Sequence, residues 1–181
     1  MKPVSSASRS ATNRYQTGQI GELLVAAELA RMGYAVALPT GNAVDFDILA
    51  YKNDHKLAVQ VKSSAGKFIQ LNLSKFLDIE MGIDGRSQIV HGPRSNLDKD
   101  LLVAAVFLGK ASGSDRIYCA KMNEFSCLLS EYHKEYLNKH GGERPGNNKA
   151  SMHAACKESY FKDAPFFRIE DTPTKFRKAI T

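Results

Sequence analysis

The chain has 181 residues, and 43% of them are hydrophobic. This length can bury the core of one domain, and no apolar run approaches the roughly 20 residues of a membrane-spanning helix, so we expect no membrane partner. The formal net charge of +6 favours a polyanionic partner, with nucleic acid first.

The N-terminal segment is polar and lacks the apolar core of a secretory signal. Its Ser, Ala, Thr and Arg content predicts a flexible arm over residues 1–15, although a transit peptide would have a similar composition. We expect residues 16–181 to form a single domain, because no repeat or boundary signal divides them. The three cysteines have no CxxC spacing, which predicts reduced thiols and a cytoplasmic location.

The first predicted helix runs from about Gln16 to Met32 and ends at Gly33, a typical C-terminal cap. Its core-facing stripe follows the i, i+3, i+4, i+7 rule and comprises Ile20, Leu23, Leu24, Ala27 and Ala30. Glu22 lies off this stripe and close to Gly18 and Gly21, which would allow close approach to a sheet or ligand. A carboxylate near a helix N-terminus is also favoured by the helix dipole, so a solvated role for Glu22 stays open.

Residues 44–64 are predicted to form an antiparallel hairpin with a polar turn. In the first strand, Asp45 and Asp47 are two residues apart and should point to the same face. Gln60 and Lys62 share a face of the second strand in the same way. Charged groups inside apolar strands are costly to bury unless they are paired or bind a metal, so this hairpin is the first candidate for a site.

Outside the hairpin, the pattern predicts further strands and helices. The strands are residues 34–40, 67–73, 88–93, 101–109 and 116–122, and the helices are residues 74–82 and 124–140. The strand at residues 101–109 has no polar alternation, so it should be central and covered on both faces. This order indicates an α/β fold with a mixed β-sheet flanked by helices.

The C-terminal extension, at about residues 140–181, is basic throughout. Arg144, Lys149, His153 and Lys157 are candidates for contacts to nucleic-acid phosphates. A solvated loop with an accidental charge excess would have the same composition, and the sequence leaves both interpretations open.

Several kinds of active site lack their motifs here. There is no GxSxG elbow, no nucleotide-binding glycine loop and no cysteine cluster for zinc, so we expect no nucleotide cofactor. Metal-assisted phosphodiester hydrolysis fits better, because the Asp45 and Asp47 carboxylates and the Gln60 amide oxygen are hard ligands that suit Mg²⁺. Lys62 would place a positive charge near the attacking water or the phosphate.

These motifs together resemble the PD-(D/E)XK nuclease superfamily. The matching stretches are GQIGE (Gly18–Glu22), DFD (Asp45–Asp47) and QVK (Gln60–Lys62). The resemblance covers roughly residues 16–108 and implies the restriction-endonuclease-like fold, with an αβββαβ core. It also implies Mg²⁺ (with Mn²⁺ as a substitute), a DNA substrate and a homodimer.

The resemblance also assigns roles within the site. Asp47 corresponds to the metal-binding aspartate at the start of the second core strand, with Asp45 subsidiary. Glu22 matches the helix-borne acid of the branch that resembles Holliday-junction resolvases. Lys62 matches the lysine that orients or activates the attacking water.

Gln60 departs from the family pattern, which usually has an acidic residue there. A glutamine carbonyl still ligates metal in some members that resemble homing and restriction endonucleases, but it removes one negative charge. Asp45, close by, could restore that charge. We therefore expect an active Mg²⁺-dependent deoxyribonuclease that uses Asp47, Gln60, Lys62 and Glu22. The alternative is a catalytically inactive nucleic-acid-binding module, or a subunit of a larger defence or mobile-element complex that retains the fold.

Overall fold

The computed structural model describes residues 6–39, 45–111, 113–145, 150–162 and 167–168. No helix in these ranges is long and apolar enough to cross a membrane. In chain order, the helices and strands are α1 (Ser6–Arg31), β1 (Ala35–Ala37), β2 (Ile48–Lys52), β3 (His55–Ser64), β4 (Phe68–Asn72), β5 (Leu77–Met81), β6 (Gln88–Pro93), β7 (Leu102–Phe107), β8 (Arg116–Lys121), α2 (Met122–Asn138), β9 (His153–Lys157), α3 (Ser159–Lys162) and β10 (Phe167–Arg168).

A six-stranded sheet with the order β1-β2-β3-β7-β8-β10 lies at the centre of the described structure. β3 and β7 are parallel, and the other neighbours are antiparallel, so the sheet is mixed. Every residue of β7 is buried, as expected for a strand without polar alternation that is covered on both faces. The predicted α/β class and the central position of this strand are confirmed.

Two apolar cores lie on the two faces of this sheet. On one face, Val25 and Leu29 of α1 pack on alternate residues of β2, β3 and β7. On the other face, α2 and the two-stranded sheets β4-β9 and β5-β6 cover the strands, with Phe107, Phe125 and Phe161 fully buried. Burial of side chains of this size contributes about 1.5–3 kcal/mol each. The packing on both faces therefore holds the sheet in place, and with it the residues at the ends of its strands.

Helix α1 begins at Ser6, ten residues before the predicted start. Residues 6–15 of the predicted arm are thus helical, because no Gly or Pro interrupts residues 4–17 and Ala and Arg favour a helix. The predicted end is confirmed. Gly33 has φ +85°, and the N–H of Tyr34 donates to the carbonyl of Leu29 at 3.1 Å, as in a Schellman cap.

Leu24 packs against the core as predicted, but the rest of the predicted core-facing stripe of α1 is wrong. Ile20 and Leu23 are 46% and 58% exposed, whereas the buried side carries Gly21, Val25 and Leu29. Gly21 sets this rotation, because it lies against β3 where a Cβ atom would overlap the Ser63 hydroxyl. A contact between elements so far apart in sequence leaves no trace in the periodicity of the helix.

The helix predicted at residues 74–82 is also wrong. A short 3-10 turn, Leu73–Lys75, is followed by β5, which pairs antiparallel with β6. Along β5, the buried Leu77 is followed by the exposed Asp78, and the half-buried Ile79 by the exposed Glu80, which is the period of a strand. In the described residues, no α-helix therefore lies between β3 and β7, where the predicted αβββαβ order has one. Helix α2, which follows β8, covers that face of the sheet instead.

Candidate active site

The predicted hairpin is confirmed. β2 and β3 pair antiparallel from Ile48 opposite Val59 to Lys52 opposite His55. Asn53 in the two-residue turn has φ +50°, as such tight hairpin turns require. β2 begins only at Ile48, so Asp45 and Asp47 precede the strand instead of lying within it.

Asp47 is fixed to β3 by its backbone and by its side chain. Its N–H donates to the carbonyl of Val59 at 2.9 Å. Its Oδ2 accepts the N–H of Val61 at 2.6 Å. Because these two bonds set the position of the half-buried carboxylate, Oδ1 is the oxygen that can serve another ligand.

Gln60 connects the segment that carries Asp45 to the same strand. The Gln60 side-chain nitrogen Nε2 donates to the backbone carbonyl of Asp45 at 3.3 Å. Since the nitrogen end of the amide is used in this way, the carbonyl oxygen Oε1 is the end that can ligate a metal.

Helix α1 brings Glu22 to the hairpin. Its neighbour Gly21 packs on Ser63 of β3, and this close approach places Glu22, half-buried, beside the motif residues. Partial burial raises the pKa of Glu22, the charge of Asp47 raises it further, and the charge of Lys62 opposes the change. The three groups are therefore close enough to interact electrostatically.

Lys62 extends from β3 into the same space. Burial lowers the pKa of its ammonium group, and the positive charge of Lys75 lowers it further. The carboxylates of Asp47 and Glu22 work in the opposite direction. Sequence reasoning missed Lys75, because the predicted helix at residues 74–82 gave no reason to place it near the hairpin.

All five motif residues line one open cleft of about 810 Å³. The predicted members are Glu22, Asp45, Asp47, Gln60 and Lys62. The other lining residues are Arg14, Tyr15, Gly18, Gln19, Leu23, Leu38, Pro39, Phe46 and Lys75. The lining therefore has three carboxylates and three cationic side chains, which makes its formal charge zero.

The candidate phosphate contacts of the C-terminal extension do not line this cleft in the described structure. His153 and Lys157 lie on the exposed face of β9. The Arg144 guanidinium donates to the backbone carbonyls of Ser151, at 2.9 Å, and His153, so its described contacts hold the start of β9. Lys149 is outside the described residues.

A metal site at the cleft would have few protein ligands. Over the ranges that the structure describes, no three His, Cys, Asp or Glu side chains are grouped to hold a metal ion. The donors in the cleft are carboxylate and amide oxygens. Mg²⁺ suits such a sparse oxygen set, because one or two carboxylates usually hold it and water completes its shell.

One comparison with known proteins, against family models, agrees with the motifs. Residues 12–75 match the model of a family described as PD-(D/E)XK endonuclease. No curated protein matches the chain. Among solved structures, a bacterial homing endonuclease, I-Ssp6803I, is similar at 18% identity over 60% of this chain and 68% of that chain, with a TM-score of 0.37, an overlap too low to bear on function. The family match thus confirms the predicted resemblance to the PD-(D/E)XK superfamily over residues 12–75, the segment that contains every motif residue of the cleft.

Proposed function

We propose that the protein is a Mg²⁺-dependent endonuclease that hydrolyses DNA phosphodiester bonds in this cleft. One observation carries the proposal. Glu22 from α1, Asp47 from the segment before β2 and Lys62 from β3 line the same cavity. A chance match of short motifs would give no reason for three separate segments to converge.

The chain's own oxygen atoms would hold the ion. Asp47 can offer Oδ1 and Gln60 can offer Oε1, since their other polar atoms are bonded to backbone groups. Asp45 adds a second carboxylate in the cleft. When bound, Mg²⁺ or Mn²⁺ would polarise the phosphate and lower the pKa of a coordinated water.

Lys62 and Glu22 would act on the water and the phosphate. The Lys62 ammonium is close enough to Asp47 for their charges to interact. It would therefore lie near the reacting phosphate, where it would orient the attacking water and stabilise the negative charge that develops. Glu22 interacts with both groups and would hold the Lys62 ammonium in place.

The charge of the cleft supports a phosphodiester substrate. Its formally neutral lining would become positive once a divalent ion is bound. Outside the cleft, His153 and Lys157 on β9 are our candidates for DNA backbone contacts, with Arg144 and Lys149, and such contacts make binding sensitive to salt. A homodimer would supply one cleft for each strand of a DNA duplex.

Cleavage of plasmid and branched DNA tests the proposal. We expect the wild-type protein to cut in Mg²⁺ or Mn²⁺ and to stop in EDTA. Asp47→Ala should lose at least about 100-fold in rate, because it removes a ligand that stabilises transition-state charge. Asp54→Ala is the matched control, since Asp54 is exposed in the hairpin turn and outside the cleft. Equal loss in both variants would contradict the assignment.

The neutral Gln60 favours a second candidate, a nucleic-acid-binding module without catalysis, either alone or within a larger complex. Such a protein would bind DNA and cut nothing in either metal. Calorimetric titration with Mn²⁺ separates the two functions. Binding of Mn²⁺ that is lost in Asp47→Ala would count against the silent module, whereas no metal binding together with DNA binding would favour it.

A further inference from the structure

A lysine outside the PD-(D/E)XK pattern reaches the same cleft. Lys75 is the last residue of the 3-10 turn Leu73–Lys75, which connects β4 to β5. It is exposed and lines the cleft with Asp47 and Lys62. Its position depends on how firmly the turn is held.

Buried side chains anchor the turn on both sides of Lys75. Leu73 is 0% exposed and Phe76 is 2% exposed, and both belong to the core beneath the sheet. The N–H of Leu73 donates to the carbonyl of Met152 at 2.7 Å, and the N–H of Phe76 donates to the carbonyl of Leu73 at 2.9 Å. The backbone that carries Lys75 is thus tied to the core.

Polar contacts fix the turn further. The Asn72 Oδ1 accepts the N–H of Ser74 at 3.2 Å and its hydroxyl at 2.8 Å. Arg94 donates from Nη1 to the carbonyl of Ser74 at 2.9 Å. A surface lysine on such a constrained turn samples fewer positions than one on a loose loop, so the contacts restrain Lys75 at the cleft.

Lys75 has no carboxylate partner within the described part of the chain, and it lines the same cleft as Lys62. Two like charges in one cleft repel each other, and an anion between them relieves that repulsion. In the proposed enzyme, Asp45 and Asp47 would hold the metal ion, and Glu22 would hold the Lys62 ammonium in place. A phosphate group of the substrate is the anion that remains for Lys75.

We propose that Lys75 binds a backbone phosphate of the nucleic-acid substrate, next to the scissile one, and so positions the strand across the cleft. This inference rests on the proposed function for the metal ion and for the position of the scissile phosphate, whereas its binding test does not require cleavage. Because the contact is made equally before and during the reaction, it contributes to binding and not to the chemical step.

Binding of a duplex oligonucleotide over a series of salt concentrations, with Ca²⁺ in place of Mg²⁺, tests the proposal. We expect Lys75→Gln to weaken binding about tenfold at low salt and to reduce the slope of log K against log salt by about 0.9, the value for one phosphate contact on duplex DNA. Lys75→Arg should keep the slope. Lys67→Gln is the matched control, because Lys67 is an exposed lysine before β4 and outside the cleft.

Three results would overturn the proposal: an unchanged slope in Lys75→Gln, an equal loss in Lys67→Gln, or a wild-type protein that binds no DNA. If wild type binds but does not cut in Mg²⁺, the proposed enzyme fails while the slope still tests Lys75. If wild type cuts, Lys75→Gln should raise KM about tenfold and keep kcat within about twofold. Thermal unfolding of each variant checks that its fold is intact.

Discussion

The cleft and the C-terminal extension were both predicted to contact nucleic acid. In the structure, the predicted residues of the cleft lie together, whereas the described ones of the extension do not join them. The five motif residues converge in one cavity, although they come from α1, the segment before β2, and β3. The described residues of the extension stay outside that cavity, and Arg144 bonds to backbone carbonyls. Spacing within a strand or helix carries information about position, whereas an excess of basic residues carries only charge.

The largest expected difference between the two regions concerns catalysis. Glu22→Gln should reduce the cleavage rate about 100-fold, because it removes a charge that interacts with Asp47 and Lys62. Glu28→Gln on the same helix is the control, since Glu28 forms a surface ion pair with Arg31. Single-turnover cleavage measures both. A similar loss in the two variants would remove the distinction between the cleft and the helix surface.

The close packing of α1 on β3 gives the next effect. Gly21→Ala should lower the free energy of unfolding by about 1–3 kcal/mol, because its Cβ would overlap the Ser63 hydroxyl and lie 2.8 Å from Ser63 Cβ. Gly18→Ala should be neutral or stabilising by up to about 1 kcal/mol, because that Cβ would meet nothing within 4 Å. Urea unfolding distinguishes them, and equal values would contradict the predicted role of the glycine.

A buried histidine on the C-terminal side of the fold makes stability depend on pH. Burial and the charge of Arg144 lower the pKa of His133 to about 4, and its Nε2 pairs with Gln88 at 2.9 Å. The unfolded chain, with a pKa near 6.5, binds the proton first as pH falls. The free energy of unfolding should therefore decrease by about 2 kcal/mol from pH 7 to pH 5.

Replacement of this histidine isolates its share of the pH dependence. His133→Gln keeps a hydrogen-bonding side chain but cannot titrate, so its free energy of unfolding should change less over the same pH range. Urea unfolding at pH 7, 6 and 5 measures the difference. Identical profiles for the two proteins would show that His133 does not control the change.

The smallest effect is expected on β9. Lys157→Gln should weaken DNA binding only a few-fold and lower the salt slope by about 0.9, with kcat unchanged, if Lys157 contacts one phosphate. Lys139→Gln on the surface after α2 is the control. If Lys157→Gln has no effect on binding, the basic extension carries charge without a role in DNA recognition.

Local patterns predicted the elements that depend on neighbouring residues. The hairpin follows from alternation and a two-residue turn, and β7 follows from an uninterrupted apolar run. The predictions were wrong where contacts between segments distant in sequence determine the structure. Gly21 meets Ser63 across the fold, and the turn before β5 is held by a bond from Leu73 to Met152. Lys75 was missed for that reason.

The sequence predicted correctly that the motif residues lie together, but it did not predict the local structure of the segment that carries two of them. Asp45 and Asp47 lie before β2 and not within it, yet both reach the predicted cleft. Two hydrogen bonds from β3 hold this segment in place: the N–H of Val61 donates to Asp47 Oδ2, and Gln60 Nε2 donates to the carbonyl of Asp45. The side-chain bonds compensate for the missing strand, and periodicity alone could not reveal them.

The most direct test of the nuclease assignment compares two lysines of β3 in Mg²⁺-dependent cleavage. Lys62 lines the cleft, whereas Lys56 is exposed near the hairpin turn. Under single-turnover conditions with saturating enzyme, we predict that Lys62→Ala loses at least about 100-fold in rate and that Lys56→Ala cuts like wild type. Wild-type protein that binds DNA without cutting it, or a Lys62→Ala variant that cuts normally, would contradict the account.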